Sequence, residues 1–313
     1  MLIRGVASLL SLLLLPHGCS GPGSSQPMPL KYKAKGKSPQ VIALYEAWFG
    51  HPKHMNVGYS SQDPAQIASQ VVQAKAQGIT AFVVDWYGDR EHFIDKSYAV
   101  MQATAAKKDF QVAMMYDETD QEDGATDEAI ADFTMFRDTY LSPKSPGLHA
   151  YLNYQGRPVI FIFPKGGHTD WNRVRQTTSA WEDPPALIFK DIHTQLANDF
   201  DGFYAWVNPG KAGWSANGSN WGEDYLDNFY QTMITQYPNK IAVGAAWPGF
   251  NDSRASWSQN RHMNPRCGKT FDDTLRLFRR YYSEQRPLPF LMIETWNDYE
   301  EGTDIEKGVN TCK

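Results

Sequence analysis

DPAQIASQVVQAKAQGITAFVVDW, residues 63–86, contains the unit whose reading decides the fold. Asp63 before Pro64 is a helix start: the carboxylate caps free N–H groups of the first turn, and proline at the first helical position lacks an N–H that would have no partner there. Gly78 stops the helix, because glycine takes the left-handed terminal conformation without a Cβ clash. The run Thr80-Ala81-Phe82-Val83-Val84-Asp85-Trp86 follows at once as a strand.

Outward from this unit the same rhythm repeats. Strands are expected at 41–48, 80–86, 110–116, 158–163, 186–191, 202–207, 240–246 and 289–296, and helices at 64–77, 95–107, 127–140, 170–181, 222–236 and 271–284. Strand–helix alternation signals a parallel sheet, and eight strands fit a (β/α)8 barrel, the TIM barrel, in a single α/β domain. A doubly wound open sheet is the alternative, but no glycine-rich nucleotide fingerprint follows the first strand. The connection between strands five and six is short, and only a short tail follows strand eight, so a full eighth helix is expected to be missing.

The 313 residues are 42% hydrophobic and 21% charged, enough for a core and unlike a disordered chain. Thirty basic against 35 acidic residues give a net charge of −5, with no Lys/Arg stripe to hold a phosphate backbone. Nucleic acid is not an expected partner, and a monomer is expected. Residues 1–20 carry Arg4, an apolar run from Val6 to Leu15 and small residues around Gly18-Cys19-Ser20, a signal-peptide pattern too short to span a bilayer. The expected organisation is therefore a signal peptide at 1–20, a flexible linker at 21–39 rich in Gly, Ser, Pro and Lys, and a catalytic barrel at 40–313. Leu15-Pro16-His17-Gly18-Cys19 also resembles a lipoprotein processing site. The exported product would then be a periplasmic or cell-surface lipoprotein tethered to the membrane through a lipid on Cys19, or an extracellular protein without it. Cys267 and Cys312 form a disulfide in an oxidising compartment or remain as two thiols.

Barrels of this kind place their chemistry at the C-terminal ends of the strands. Those ends combine aromatic rings, which stack on sugar C–H faces, with carboxylates and amides that accept from hydroxyl groups. The substrate-binding candidates are Tyr45 and Trp48 after strand one, Asp85 and Trp86 after strand two, and Tyr116 and Asp117 after strand three. Trp206 follows strand six, Trp247 and Asp252 follow strand seven, and Glu294, Trp296 and Asn297 belong to strand eight. Asp85 and Asp117 have a second reading as helix caps or rim ion pairs, and His51 and His54 as surface histidines. The pattern points to a polysaccharide or oligosaccharide as partner.

Glycoside cleavage needs one carboxylic acid to protonate the leaving oxygen and a second carboxylate as base or nucleophile. Alternation along strand eight puts Met292, Glu294, Trp296 and Asp298 on one face. With the strand ending near Trp296 or Asn297 and curling at Gly302, Asp298 and Glu301 come to one side of a turn as the catalytic pair. Neighbouring carboxylates raise each other's proton affinity, which suits Glu301 as acid and Asp298 as base. The competing reading is a solvated acidic loop, to which Glu300, Asp304 and Glu306 are assigned. A noncatalytic glycan-binding barrel is the alternative function; a metal-dependent hydrolase would need clustered histidines, which here are scattered. No metal and no cofactor is expected.

Several segments resemble glycoside hydrolase family GH99, the endo-α-mannosidases and endo-α-mannanases, and more distantly the α-1,3-glucanases of family 71. They are Tyr45…Trp48-Phe49-Gly50, Tyr59 to Pro64, Gly78 to Gly88, Pro248-Gly249-Phe250-Asn251-Asp252-Ser253 and Thr295 to Glu306. The family pattern in the last segment reads Asn-Glu-Trp-His-Glu-Gly, first Glu as base and second as acid, which implies those roles for Asp298 and Glu301. It also implies a retaining route in which the base deprotonates the sugar's own 2-hydroxyl to form a 1,2-anhydro sugar. Here Asp298 stands for that Glu, Tyr299 for Trp and Glu300 for His, and Trp-Asn-Asp-Tyr is similar to the family 71 form.

Overall fold

The computed structural model describes residues 39–208 and 221–312. The signal-peptide reading, Cys19 and nearly all of the linker lie outside the described residues.

Eight strands form the barrel: β1 Gln40–Tyr45, β2 Ala81–Trp86, β3 Gln111–Asp117, β4 Arg157–Phe163, β5 Ala186–Lys190, β6 Gly202–Tyr204, β7 Ile241–Ala246 and β8 Phe290–Ile293. Each pairs in parallel with its neighbours in chain order, and β8 pairs with β1 through Gln40↔Phe290 to Ala43↔Ile293, closing the ring. Helices on the outside are α1 Pro64–Ala76, α2 His92–Ala106, α3 Ala125–Phe136, α4 Trp171–Ser179, α5 Glu223–Thr235 and α6 Lys269–Tyr281. The fold is the expected (β/α)8 barrel. Only the 3-10 turn Thr194–Leu196 joins β5 to β6, and no helix follows β8 among the described residues.

Local chemistry sets the boundaries. Asp63 Oδ1 accepts from Ala65 N at 2.8 Å, and Gly78 has φ +87°, so α1 starts and stops where its sequence dictates. β6 is three residues long, shorter than expected, because its ladder partners on both sides run out at Tyr204. β8 stops at Ile293, three residues earlier than expected. After Glu294, whose N still bonds to Ala246 O at 3.1 Å, the chain leaves the ladder: Thr295 N bonds to Thr303 O at 2.9 Å, and Trp296 N returns to Leu44 O at 2.7 Å. The Glu294–Thr295 peptide is cis.

Rings from non-adjacent strands fill the barrel: Phe161 of β4 meets Tyr204 of β6 at 5.9 Å and Phe290 of β8 at 6.4 Å. The outer layer packs strand side chains against helices, as where Trp86 meets Phe136 of α3 at 5.1 Å. Cys267 and Cys312 are disulfide-bonded, fastening the segment after β8 to the loop before α6. The chain enters at the opposite end of the barrel, where Gln40 N bonds to Pro289 O at 2.8 Å.

Candidate active site

A cleft of about 840 Å³ opens at the C-terminal ends of the strands. Its wall includes Trp48, Asp85, Asp117, Trp206, Asp298 and Glu301, six of the expected site residues.

Strand alternation decides which strand-end candidates reach it, since consecutive side chains point to opposite faces. Asp85 lines the cleft, so Trp86 faces outward, where its Nε1 donates to Asp95 Oδ1 at 3.1 Å. Asp117 lines the cleft, so Tyr116 faces outward and donates to Asp132 Oδ2 at 3.0 Å. Tyr45 likewise turns out to α1, its hydroxyl donating to Gln70 Oε1 at 2.8 Å. The expectation that Tyr45, Trp86 and Tyr116 touch substrate is corrected accordingly: all three are buried in the layer between barrel and helices. The same parity brings Glu46, which is not among the sequence candidates, into the cleft beside Leu44.

Asp298 and Glu301 sit on one tight turn. Asp298 Oδ1 accepts from the backbone N–H groups of Glu300 and Glu301 at 3.0 and 2.8 Å, while Thr295 Oγ1 accepts from Asp298 N at 2.8 Å. Gly302, at φ +62°, turns the chain back so that Thr303 N bonds to Asp298 O at 3.1 Å. Glu301 Oε1 accepts from the indole N–H of Trp257 at 2.9 Å, and Arg261 stands 3.8 Å away. Burial, then repulsion from Glu301, raises the Asp298 carboxyl well above the usual carboxylate range. Burial also raises Glu301, against the opposing pull of the Trp257 N–H and the Arg261 guanidinium. Both carboxyls of the pair therefore bind a proton more tightly than ordinary carboxylates do.

The remaining expected residues lie behind this surface. Asn297 is fully buried; its Oδ1 accepts from Glu46 N at 2.8 Å and its Nδ2 donates to Glu46 O at 3.0 Å, clamping the end of β1 to the turn that carries Asp298 and Glu301. Glu294 is fully buried and accepts from Val207 N, while burial raises its carboxyl. Trp296 packs on Phe82 at 5.4 Å, and Trp247 stacks on Tyr225 at 6.1 Å. Asp252 is also fully buried, accepting from Ser258 Oγ, Gln259 N, Arg261 N and Arg261 Nε at 2.8–3.0 Å. It shapes the loop that delivers Trp257 and Arg261. None of these five side chains lines the cleft.

The solvated-loop reading of Glu300 and Glu306 is corrected, since both are buried. Glu300 accepts from Met55 N at 2.9 Å and lies 2.9 Å from His54 Nδ1, and Glu306 accepts from Tyr59, Gln70 and Tyr299. Glu300 thereby fixes His54, which stacks on Trp48 at 4.5 Å with an interplanar angle of 5°, and Trp257 meets Trp48 edge-on at 5.9 Å. Asp304 is partly buried, and burial pushes its carboxyl up to about 6. Across the cleft Lys165 pairs with Asp117 at 2.6 Å, and the Lys190 ammonium lies 3.7 Å from the Phe163 ring centre, its proton affinity lowered by burial. Of the cleft residues missing from the sequence candidates, Glu46 was findable by strand parity. Lys165, Lys190, Trp257 and Arg261 carried no comparable signal. Among the described residues no group of three or more His, Cys, Asp or Glu side chains is arranged to hold a metal ion.

Residues 50–312 match the model of glycosyl hydrolase family 99. The chain belongs to that family. This family-99 glycoside hydrolase shares its fold with the GH99 endo-alpha-mannosidase from Bacteroides thetaiotaomicron solved with BIS-TRIS-propane, at 19% identity over 85% of this chain and 86% of that one, TM-score 0.65. A second structure of the GH99 endo-alpha-mannosidase from Bacteroides thetaiotaomicron matches at 18% identity over 85% of this chain and 87% of that one, TM-score 0.64. A structure described as a glycoside hydrolase-like protein matches at 17% identity over 90% and 89%, TM-score 0.64. No curated protein matches the hydrolase significantly.

Proposed function

We propose that this glycoside hydrolase is an exported, endo-acting enzyme on α-linked glycans of the α-mannan or α-glucan type, with Asp298 as base and Glu301 as acid. The observation that carries this reading is the single turn bearing both carboxyls at the base of a cleft walled by Trp48, Trp206 and Trp257. Glu301 gives its proton to the glycosidic oxygen as the bond to the anomeric carbon breaks. Asp298, whose buried carboxyl binds a proton more tightly than an ordinary carboxylate, takes the proton of the attacking oxygen. That oxygen is the sugar's own 2-hydroxyl by the family resemblance, and Asp298 reaches it with one methylene less than the family's Glu. Neither role calls for a metal or cofactor.

Export is supported by the apolar run after Arg4 and by the Cys267–Cys312 disulfide, a bond suited to an oxidising compartment. A lipid at Cys19 would add a membrane tether, and the working form is a monomer.

The test is product release from α-mannans and α-1,3-glucans, followed by NMR of the products. The wild type should release oligosaccharides, and Glu301→Gln should lower kcat/KM by about 10²–10⁴-fold. Unchanged release by Glu301→Gln would overturn the acid assignment. Retention of glycan without any release by the wild type would mark a binding protein instead.

A further inference from the structure

Among the cleft-wall carboxyls that mechanism does not use, two stand side by side. Glu46 follows β1 and Asp85 sits near the end of β2; the side chains are 3% and 6% exposed, and both line the cleft. Glu46 Oε2 and Asp85 Oδ1 are buried, and neither meets an N–H or O–H of the described protein. The two carboxyls lie within reach of each other, and a proton on one of them joins the pair by a hydrogen bond. Their surroundings say which one carries it. Burial raises the Asp85 carboxyl to about 6, and Lys165, the Tyr87 hydroxyl and Arg90 oppose it by favouring the anion. Burial raises the Glu46 carboxyl first, and the carboxylates of Asp85, Asp298, Glu301 and Asp117 raise it further. These surroundings favour the proton on Glu46 and the charge on Asp85.

The placement is rigid on both sides. Asn297 holds the Glu46 backbone by both its N–H and its C=O, and Asn297 immediately precedes the catalytic Asp298. The dyad and the catalytic turn are therefore one unit. The adjoining wall is Trp48, whose Nε1 is buried without a partner in the described protein.

The geometry points to the Glu46–Asp85 dyad as the specificity-determining contact of the cleavage subsite: Asp85 accepts a hydrogen bond from one sugar hydroxyl, and Glu46 fixes Asp85 in place by donating to it. The substrate class this selects is an uncharged hexopyranose unit with that hydroxyl free. A uronate or sulfate group there would meet the Asp85 charge, and an O-substituent would remove the donor and fill its space. The inference rests on the hydrolase reading above and adds a substrate determinant to it.

The test pairs protein and ligand changes in the full chain. Kinetics are measured on an α-manno- or α-gluco-oligosaccharide that the wild type cleaves, and on its monodeoxy analogues. Asp85→Asn should raise KM about 10–100-fold with little change in kcat, the loss expected for a hydrogen bond to a charged acceptor. One monodeoxy analogue should suffer a similar penalty with the wild type and almost none with Asp85→Asn, because the pair has already been broken. Glu46→Ala should resemble Asp85→Asn, and Glu46→Gln should recover most of the loss, since its amide N–H can donate to Asp85. Thermal melting confirms folding; if Glu46→Ala fails to fold, the near-isosteric Asp85→Asn with the analogue series still decides. No analogue whose penalty depends on Asp85, or Glu46→Gln no better than Glu46→Ala, overturns the dyad while leaving the hydrolase reading intact. A wild type that cleaves none of the oligosaccharides overturns both.

Discussion

At the scale of single residues, the candidate site is governed by strand parity. The side chains of Leu44, Glu46, Asp85, Met115 and Asp117 reach the cleft, while Tyr45, Trp86 and Tyr116, one position away, pack against helices. This was legible in the sequence, because once Asp85 is set facing inward Trp86 must face outward. Aromatic residues at strand ends suggested sugar platforms without distinguishing the two faces. Asp298 and Glu301 were legible by their spacing and by the resemblance of their segment; the early end of β8, which depends on contacts with Leu44 and Thr303, was not. Asp85 also leaves a measurable trace in stability. Burial raises its carboxyl from 3.8 to about 6, so the folded protein binds that proton more tightly than the unfolded chain. Its favourable contribution is complete below about pH 4 and lost as pH rises through about 6. Asp85→Asn should therefore be more stable than the wild type at pH 8, by about 1–3 kcal/mol, with the gap closing toward pH 4. Urea midpoints at the two pH values check this.

At the scale of elements, the loop after β7 matters as much as the strands. Asp252 is held below the usual carboxylate range despite its burial, because the N–H of Gln259 and the Arg261 guanidinium favour its charge. The resulting stability is present above the ordinary carboxylate range and is lost as pH falls through the lowered value. Asp252→Asn should cost about 1–3 kcal/mol at pH 7 and much less in strong acid, read by thermal melting. It should also loosen Trp257 and so raise KM, because Trp257 and Arg261 reach Glu301 through this loop. Trp257→Phe isolates that link: with the indole N–H gone from Glu301, the acidic form is favoured further and the alkaline limb of the kcat profile should move up in pH. Helices and strands were legible here from caps and apolar runs. The loop was not, since a carboxylate that gathers four donors within its own ten residues looks in sequence like any polar turn.

At the scale of the whole molecule, the barrel was legible from a count of eight strands. The disulfide's existence was not settled by sequence, since two cysteines 45 residues apart fix no distance. It closes the part of the chain that contains α6, β8 and the Asp298–Glu301 turn, and on chain-entropy grounds such a loop contributes about 4 kcal/mol. Reduction should lower the melting temperature, and Cys312→Ser should reproduce the reduced value. A second consequence follows from the entry of the chain beside Pro289, at the end of the barrel opposite the cleft. A β-strand rises about 3.3 Å per residue, so β1 alone sets these two ends roughly 20 Å apart. If the protein is anchored through residues before Gln40, the anchor side and the working side are opposite poles: the mouth opens outward, toward polymers too large to pass beneath the domain, and the surface to which it is fixed is spared.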